Sequence, residues 1–197
     1  MRTALPADFA GSVEAVAIGA SAGGIDALFS LFQDLRSPFR ASIVTLLHLP
    51  EDHESRLVEV FGHRLRAPVE EARPGAPLAP GHVYVAPPGY HLLVEPDRTF
   101  ALSCDPPVLF SRPSIDVLME SCADAFGAQV AGMVLTGAND DGARGLAAIA
   151  AAGGLTAVQD PQEAQHPTMP QAAIGLADPD FVLPLAQLRR LLQTLVR

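Results

Sequence analysis

The sequence contains no lysine and no tryptophan, and each absence argues against a class of function. All 13 basic residues of this 197-residue chain are arginines. A Schiff-base enzyme, a P-loop NTPase and a kinase of the usual type each need a lysine side chain, so these three classes are excluded. Aromatic residues make up only 6% of the chain, which argues against the stacking platforms that bind single-stranded nucleic acid.

Positive charge and cysteine are also scarce. Asp and Glu number 22 against the 13 arginines, which gives a formal net charge of −9. Nucleic-acid binders need clustered positive charge, so we expect no nucleic-acid partner. The two cysteines, Cys104 and Cys122, are too few for a disulfide scaffold or a four-thiolate zinc site. No apolar run has the length of a membrane span and no secretory signal is visible, so the sequence predicts a cytoplasmic protein without direct membrane insertion.

The apolar pattern at the start of the chain alternates between strand and helix. Apolar runs at 13–18 and 42–47 have the length of buried strands, and each is followed by apolar residues at helical spacing. This order implies parallel strands joined by helical crossovers. Because 49% of the residues are hydrophobic and only 18% are charged, we expect one core and a single domain over residues 1–197, with its motif-bearing part at about 13–176.

Prolines and glycines are dense between residues 67 and 113. This stretch is predicted to be an antiparallel insertion with short strands at 82–86, 91–95 and 99–103 and a turn at 96–98. Beyond residue 114 the alternation resumes, with strands at 130–136 and 155–159, a C-cap glycine at Gly153 and a last helix from Leu185. The predicted fold class is α/β: a single doubly wound, mostly parallel sheet with helices on both faces and an antiparallel hairpin insertion at the edge.

The segment Gly19-Ala20-Ser21-Ala22-Gly23-Gly24 lies between a predicted strand and a predicted helix. It fits the G-x-S-x-G pattern of a nucleophile elbow, in which small neighbours allow a sharp turn that projects the serine hydroxyl. The helix that follows offers free backbone N–H groups and the positive end of its dipole to an oxyanion. A phosphate-binding glycine loop uses the same geometry without chemistry at the serine, so both interpretations stay open at this point.

His48 ends the second predicted strand, so it should lie at the same sheet edge as Ser21. A neutral imidazole at that edge can accept the serine proton and later return it to the leaving group. A histidine that caps a strand end with a backbone hydrogen bond is the structural alternative. The position beside the elbow favours a general base.

Asp140 and Asp141 follow a later predicted strand and precede a helix. Either carboxylate can cap that helix, and one of them can orient His48 through the Nδ1–H of its ring, which would complete a Ser-His-Asp set. A magnesium site is the weaker alternative, because no other carboxylates converge on this pair. The chain order of serine, histidine and aspartate differs from that of α/β-hydrolases, so a triad here would belong to another hydrolase architecture.

Arg112 precedes Ser114, which is the predicted N-cap of a helix. The Arg112 side chain can anchor a carboxylate near the site, and an ordinary structural role is the alternative. His82 and His91 flank a proline-rich segment and can line the edge of the cleft. No pair of histidines has the spacing of a zinc site, so we predict no metal and no cofactor.

Six motifs occur in order between Val16 and Ile174. They are Ile18-Gly19-Ala20-Ser21-Ala22-Gly23-Gly24, Leu47-His48-Leu49-Pro50, Gly81-His82-Val83-Tyr84-Val85-Ala86-Pro87-Pro88 with His91-Leu92-Leu93, Arg112-Pro113-Ser114-Ile115-Asp116-Val117-Leu118, Leu135-Thr136-Gly137 with Asp141-Gly142, and Met169-Pro170 with Ala172-Ala173-Ile174. Together they resemble the catalytic domain of the chemotaxis methylesterase CheB. The resemblance covers nearly the whole chain.

The resemblance implies hydrolysis of the γ-methyl esters of glutamyl side chains on methyl-accepting chemotaxis receptors, with release of methanol. Related members also deamidate receptor glutamines. By motif, Ser21 is the nucleophile, His48 is the general base and acid, and Asp141 orients His48. Asp141 is chosen over Asp140 because the aspartate of the family directly precedes the glycine that matches Gly142.

The oxyanion is held in the family by backbone N–H groups, partly from a methionine position that Ala138 occupies here. A backbone donor survives the loss of the methionine side chain. Ala22 is the second candidate for oxyanion binding and Arg112 a candidate for substrate binding. The family segment T-G-M-G-x-D-G reads Thr-Gly-Ala-Asn-Asp-Asp-Gly at residues 136–142, and Ala22 replaces the threonine usual after the nucleophile.

The implied partners are the cytoplasmic signalling helices of the receptors. A regulatory receiver domain needs about 120 residues ahead of the elbow, and the chain has too few there, so we expect no phosphorylation control in cis; a separate response-regulator protein is a candidate partner. The alternative to a methylesterase is a non-catalytic or divergent CheB-like binding module in a signalling pathway other than chemotaxis.

Overall fold

Long apolar runs form the central strands of a parallel sheet. The computed structural model describes residues 13–48 and 56–197. The strands are β1 (Ala15–Ala20), β2 (Ser42–Leu47), β3 (Val69–Glu71), β4 (Val83–Val85), β5 (His91–Val94), β6 (Phe100–Ser103), β7 (Val130–Val134), β8 (Leu155–Gln159) and β9 (Phe181–Leu183). The helices are α1 (Gly24–Phe32), α2 (Leu57–Gly62), α3 (Ile115–Phe126), α4 (Ala143–Ala151), α5 (Thr168–Ala177) and α6 (Leu185–Leu195).

The order of the strands creates a switch point at β1. The main sheet has seven strands in the order β3-β4-β2-β1-β7-β8-β9, and every neighbouring pair is parallel. The chain leaves β1 through α1 on one face and leaves β7 through α4 on the other. The carboxyl ends of β2, β1 and β7 therefore form the crevice in which a doubly wound sheet binds its ligands.

Helices cover both faces of the sheet and bury two apolar layers. Val16 and Ile18 of β1 share one layer with α1 and α6, whereas the residues on either side of Val16 share the other with α3 and α4. Each fully buried leucine, isoleucine or phenylalanine contributes about 1.5–3 kcal/mol by leaving water. Gly19 permits the close approach of α3, because a Cβ at this position would overlap Ile115. The predicted doubly wound α/β fold is confirmed.

The structure confirms the predicted antiparallel hairpin but corrects the extent of the antiparallel insertion that was predicted over residues 67–113. β4 pairs in parallel with β2 and β3 pairs in parallel with β4, so both strands extend the main sheet. Within the described residues, the antiparallel pairing of named strands is confined to the β5–β6 hairpin, which is closed by the predicted turn at 96–98 and packs against α3. Strands of three residues between prolines and glycines carry too little pattern to distinguish parallel from antiparallel pairing.

The C-terminal part contains two elements that the sequence pattern does not predict, α5 and the three-residue strand β9. The predicted last helix is confirmed as α6. Gly153 follows α4 with a φ of 81°, which confirms its position beyond the helix C-terminus. The motif residues Leu49 and Pro50 lie outside the described residues. In the ranges that the structure describes, no helix combines the length and the apolar character of a bilayer span.

Candidate active site

Three loops that follow neighbouring strands bring Ser21, His48 and Asp141 to one edge of the sheet. Ser21 follows β1, His48 follows β2, and Asp141 lies in the loop after β7. Backbone hydrogen bonds continue the strand pairing into this edge. The N–H of Ser21 donates to the carbonyl of Thr136 at 3.0 Å, and the N–H of His48 donates to the carbonyl of Ala20 at 3.1 Å.

The turn that carries Ser21 depends on the glycine two residues later. Gly23 has a φ of 76°, in the left-handed region, and it directly precedes α1. The N–H of Gly24 donates to the carbonyl of Ser21 at 2.8 Å and closes the turn. Within the described chain, the N–H groups of Ala22 and Gly23 make no hydrogen bond. Two unused donors at the positive end of a helix dipole are suited to an anion or to a developing oxyanion.

A small pocket opens beside this turn, with a volume of about 260 Å³. The residues that line it come from the elbow, the end of β2 and the segment after β8: Ser21, Gly23, Gly24, Ile25, Asp26, Leu47, His48 and Gln165. Ser21 and His48 therefore face the same space. No hydrogen bond joins the two side chains among the described residues; in many enzymes such contacts tighten only when substrate is bound.

His48 and Asp141 are joined directly. The Nε2 atom of His48 lies 2.9 Å from Oδ2 of Asp141, with 12% of the His48 side chain and none of the Asp141 side chain exposed. The predicted contact through Nδ1 is therefore wrong, because the carboxylate faces Nε2. Because Nε2 faces the carboxylate, Nδ1 is the ring nitrogen left for a partner in the pocket.

Protein donors surround the Asp141 carboxylate. In addition to the His48 ring, Oδ1 accepts hydrogen bonds from the Ser114 hydroxyl at 2.8 Å and from the N–H of Asp116 at 2.9 Å, and Oδ2 accepts one from the N–H of Ile115 at 2.7 Å. Asp141 thus caps α3 rather than the helix that it precedes, which corrects the predicted capping role. Both oxygens are used by protein donors, which disfavours the magnesium alternative.

These contacts decide the charge on Asp141. Burial raises the pKa of the Asp141 carboxyl, but the hydrogen bonds from His48, from the backbone of Asp116 and Ile115 and from the Ser114 hydroxyl outweigh it. The net pKa of Asp141 lies below its usual value. Asp141 is therefore a carboxylate at neutral pH and can stabilise a positive charge on His48.

Asp116 was not among the predicted site residues, although it belongs to the motif that begins at Arg112. Its buried Oδ1 accepts hydrogen bonds from the N–H of Gly142 at 2.9 Å and from the N–H of Gly145 at 2.8 Å, so it caps α4. Its Oδ2 pairs with Arg144 Nε at 3.1 Å. The sequence did contain a signal for this role, because Asp116 lies in the first turn of a helix whose neighbouring residues are apolar. A carboxylate that is buried at such a position needs hydrogen-bond partners.

His91 and Ser114 form a supporting layer. The N–H of Ser114 donates to His91 Nδ1 at 3.1 Å, and His91 Nε2 lies 3.1 Å from the carbonyl of Pro106. Nδ1 accepts, so the proton is on Nε2. His91 is buried at 2% exposure, so it does not line the cleft edge as expected. Ser114 is the N-cap of α3 as predicted, and its hydroxyl in addition holds Asp141.

The two remaining predicted residues lie apart from the pocket lining. Ala138 is exposed in the loop after β7, and Arg112 is partly buried. Arg112 Nη1 donates to the backbone carbonyls of Cys104 and Asp105, each at 3.3 Å. These bonds hold a loop in place, and the roles of Ala138 and Arg112 toward substrate stay predictions. Gln165, which lines the pocket, lies in a polar loop in which no residue pattern singles it out.

The fold and the site together define a doubly wound α/β protein with a serine, a histidine and an aspartate side chain at its switch point. The family model of the CheB methylesterase matches residues 16–192. A protein from Leptospira interrogans is 41% identical over 178 residues, which is 90% of this chain and 92% of that protein, and its name assigns it provisionally as a protein-glutamate methylesterase/protein-glutamine glutaminase.

A protein-glutamate methylesterase/protein-glutamine glutaminase from Anaeromyxobacter dehalogenans is 39% identical over 196 residues, which is 100% of this chain and 57% of that protein. The crystal structure of the Thermotoga maritima CheB methylesterase catalytic domain matches with a TM-score of 0.85 and 27% identity, over 91% of this chain and 98% of that one.

The chain belongs to the CheB methylesterase family. The predicted family is thereby confirmed, and the predicted enzyme class, a protein-glutamate methylesterase, is confirmed at the level of the family.

Proposed function

We propose that this protein is a serine hydrolase that removes methyl esters from glutamyl side chains of methyl-accepting chemotaxis receptors in the cytoplasm. The observation that carries the proposal is the 2.9 Å contact between His48 Nε2 and Asp141 Oδ2 at the pocket that also contains Ser21. This contact leaves His48 Nδ1 as the base for the serine hydroxyl. The substrate class is supported by the names of the relatives.

The proposed reaction begins with acyl transfer to Ser21. The Ser21 oxygen attacks the carbonyl carbon of the ester while its proton moves to His48 Nδ1. The bond from that carbon to the methoxy oxygen then breaks, and the proton on Nδ1 passes to the leaving oxygen to give methanol. A water molecule repeats the sequence on the acyl-enzyme, which releases the glutamate side chain and restores Ser21.

The charges that develop during this reaction have counterparts in the site. The imidazolium form of His48 faces a carboxylate whose pKa is held low by its hydrogen bonds, against the effect of burial. The tetrahedral oxyanion would be held by the unused N–H of Ala22 at the start of α1, together with the backbone of Ala138. Fixed donors of this kind are worth about 2.7–4 kcal/mol each in transition-state stabilisation.

The size of the pocket supports a side-chain ester as the substrate. A volume of about 260 Å³ is slightly below the range of about 300–1,000 Å³ typical of whole small-molecule ligands. It is suited to the end of a glutamyl methyl ester. The same acyl transfer with ammonia as the leaving group would deamidate a glutamine, which agrees with the double name of the relatives.

The experiment is methanol release from a methylated receptor fragment. Ser21→Ala should lower the rate to the level of the uncatalysed control, whereas Ser30→Ala, a serine on α1 that does not line the pocket, should retain it. Undiminished turnover by Ser21→Ala would exclude the mechanism. Retention of receptor binding by a wild-type protein that never releases methanol would favour a CheB-like binding module.

A further inference from the structure

The loop between β6 and α3 holds an aromatic side chain in solvent. Phe110 is 103% exposed and its neighbour Leu109 is 44% exposed. The seven other phenylalanines in the described residues are buried or partly buried. Hydration of an exposed apolar ring is unfavourable, and the two adjacent side chains form a small contiguous apolar patch that a partner can cover.

The backbone at this tip is strained to hold the ring outward. Leu109 has a φ of 48° and Phe110 a φ of 62°. Val108 and Ser111 exchange two backbone hydrogen bonds, of 3.1 and 2.9 Å, around them. Positive φ at both central positions is the requirement of a type I′ turn, for which Asn-Gly is preferred and bulky apolar residues are rare. Strain of this kind is concentrated at functional sites.

The base of the loop is fixed by side chains from outside its tip. Arg112 Nη1 holds the carbonyls of Cys104 and Asp105, each at 3.3 Å, and the ring of His91 holds the carbonyl of Pro106 at 3.1 Å. The aromatic tip is therefore presented by an ordered loop. A preorganised contact loses less conformational freedom on binding.

The tip is joined to the loop that carries Asp141. Phe110 is four residues from Ser114, whose hydroxyl contacts Asp141, so their Cα atoms are at most about 14 Å apart. Ser111, directly after Phe110, accepts a hydrogen bond from Asn139 Nδ2 at 3.4 Å. Asn139 belongs to the loop that carries Asp141.

We propose that Phe110, together with Leu109, is the anchor against which the ester-bearing receptor helix docks. The proposal rests on the proposed function. A pocket of about 260 Å³ accommodates the reacting side chain, so the rest of a protein substrate has to contact the surface around it. An α-helix presents apolar side chains one and two turns from the ester, about 5 and 11 Å along its axis.

The charge of the protein supports an apolar anchor. The chain carries a net charge of −9, and a helix that displays several glutamate side chains is also negative. Two like-charged partners gain nothing from long-range attraction. Local apolar contact then has to supply the affinity, and aromatic residues, Phe among them, are enriched in protein interfaces.

The test compares a receptor substrate with a small one. Phe110→Asn removes the ring and keeps a residue that tolerates positive φ, so the fold should persist; its Tm is measured as a check. We expect KM for a methylated receptor fragment to rise at least about tenfold, which corresponds to about 1.4 kcal/mol. Hydrolysis of a capped glutamyl γ-methyl ester dipeptide should stay within about twofold, because the dipeptide does not reach Phe110.

Leu176→Ser is the matched control, because Leu176 is also apolar and 56% exposed but lies on α5; its receptor KM should equal that of the wild type. Phe110→Leu should restore part of the affinity. The proposal would be overturned if Phe110→Asn had the wild-type KM for the receptor fragment. It would also be overturned if the variant lost the same fraction of its activity on the receptor fragment and on the dipeptide. Conversion of a dimer into a monomer with unchanged kinetics would instead assign Phe110 to self-association. Failure of the proposed function is distinct, because Ser21→Ala would then hydrolyse both substrates as fast as the wild type, or the wild type would hydrolyse neither.

Discussion

Asp141 caps α3, the helix that contains Asp116, and Asp116 caps α4, the helix that Asp141 precedes. The Asp141 carboxylate accepts the first N–H groups of α3, and the Asp116 carboxylate accepts N–H groups at the start of α4. Two buried negative charges are thereby placed at the positive ends of two helix dipoles. The position of the carboxylate that faces His48 is fixed by the packing of α3 on α4 and not by its own loop alone.

Removal of the charge on Asp141 should affect both stability and catalysis. Asp141→Asn loses charged hydrogen bonds worth about 1.5–3 kcal/mol, and we expect a decrease of that order in the free energy of unfolding. It should also lower kcat about 10³–10⁴-fold, because His48 loses its orienting carboxylate. Asp116→Asn is the control: its decrease in stability should be similar, while its kcat stays within about tenfold of the wild type. Urea unfolding and methanol release measure the two quantities, and equal losses of kcat in both variants would contradict a separate role for Asp141.

The pH dependence of stability should report the same carboxyl group. The pKa of Asp141 is lowered in the folded state, since its hydrogen bonds outweigh the effect of burial. A lowered pKa gives stability that is fully present above the unfolded pKa of about 3.9 and is lost as the pH falls through the folded value. The difference in unfolding free energy between the wild type and Asp141→Asn should therefore shrink from pH 6 toward pH 3. A constant difference over this range would mean that Asp141 is not the titrating group.

Substitutions of His48 test whether Nε2 contacts Asp141 while Nδ1 acts as the base for Ser21. The amide of His48→Gln can still donate to Asp141 but has no base for Ser21, so stability should change by less than about 1 kcal/mol while kcat falls at least about 10²-fold. His48→Ala removes the donor as well and should be less stable than His48→Gln. In the wild type, ¹⁵N NMR should find the neutral ring protonated at Nε2. Protonation at Nδ1 would be inconsistent with the 2.9 Å contact to Asp141.

Gly23 should resist substitution for two separable reasons. Its φ of 76° is unfavourable for alanine, and a Cβ at this position would lie 2.5 Å from Gln165 Oε1. We expect Gly23→Ala to lower the unfolding free energy by about 1–2 kcal/mol. Adding Gln165→Ala to Gly23→Ala should recover the unfolding free energy that is lost through the overlap with Gln165. The loss that is due to the positive φ should remain. Additive effects of the two substitutions in a double-mutant cycle would show that the side chains do not meet.

The fold and the main site residues were largely predictable because their signals are local. Apolar runs and helical spacing identify the central strands and their crossovers. A serine between glycines and a histidine at a strand end lie at the same edge in any doubly wound sheet. The pairing of β3 and β4 with the main sheet was not predictable, because strands of three residues carry almost no periodicity.

The contacts of the site were less predictable because they join distant segments. Asp141 precedes α4, so local rules predict that it caps that helix. In the structure it caps α3 instead, through the N–H of Ile115, which is 26 residues away in sequence. Which nitrogen of His48 contacts Asp141 depends on the position of α3, because α3 holds the carboxylate. No local sequence pattern predicts that position. Arg112 is charged and begins one of the six motifs, which favoured a role in substrate binding, but in the structure its Nη1 donates to two backbone carbonyls.

The most direct test of Ser21 as the nucleophile is covalent labelling with a fluorophosphonate probe, followed by peptide mapping. The account predicts a single adduct on the peptide that contains Ser21, with labelling strongly reduced in His48→Gln and unaffected in Leu176→Ser. Methanol release should be lost in proportion to the label. A protein that releases methanol from the receptor while its label is on another residue, or that remains fully active after Ser21 is labelled, would contradict the account.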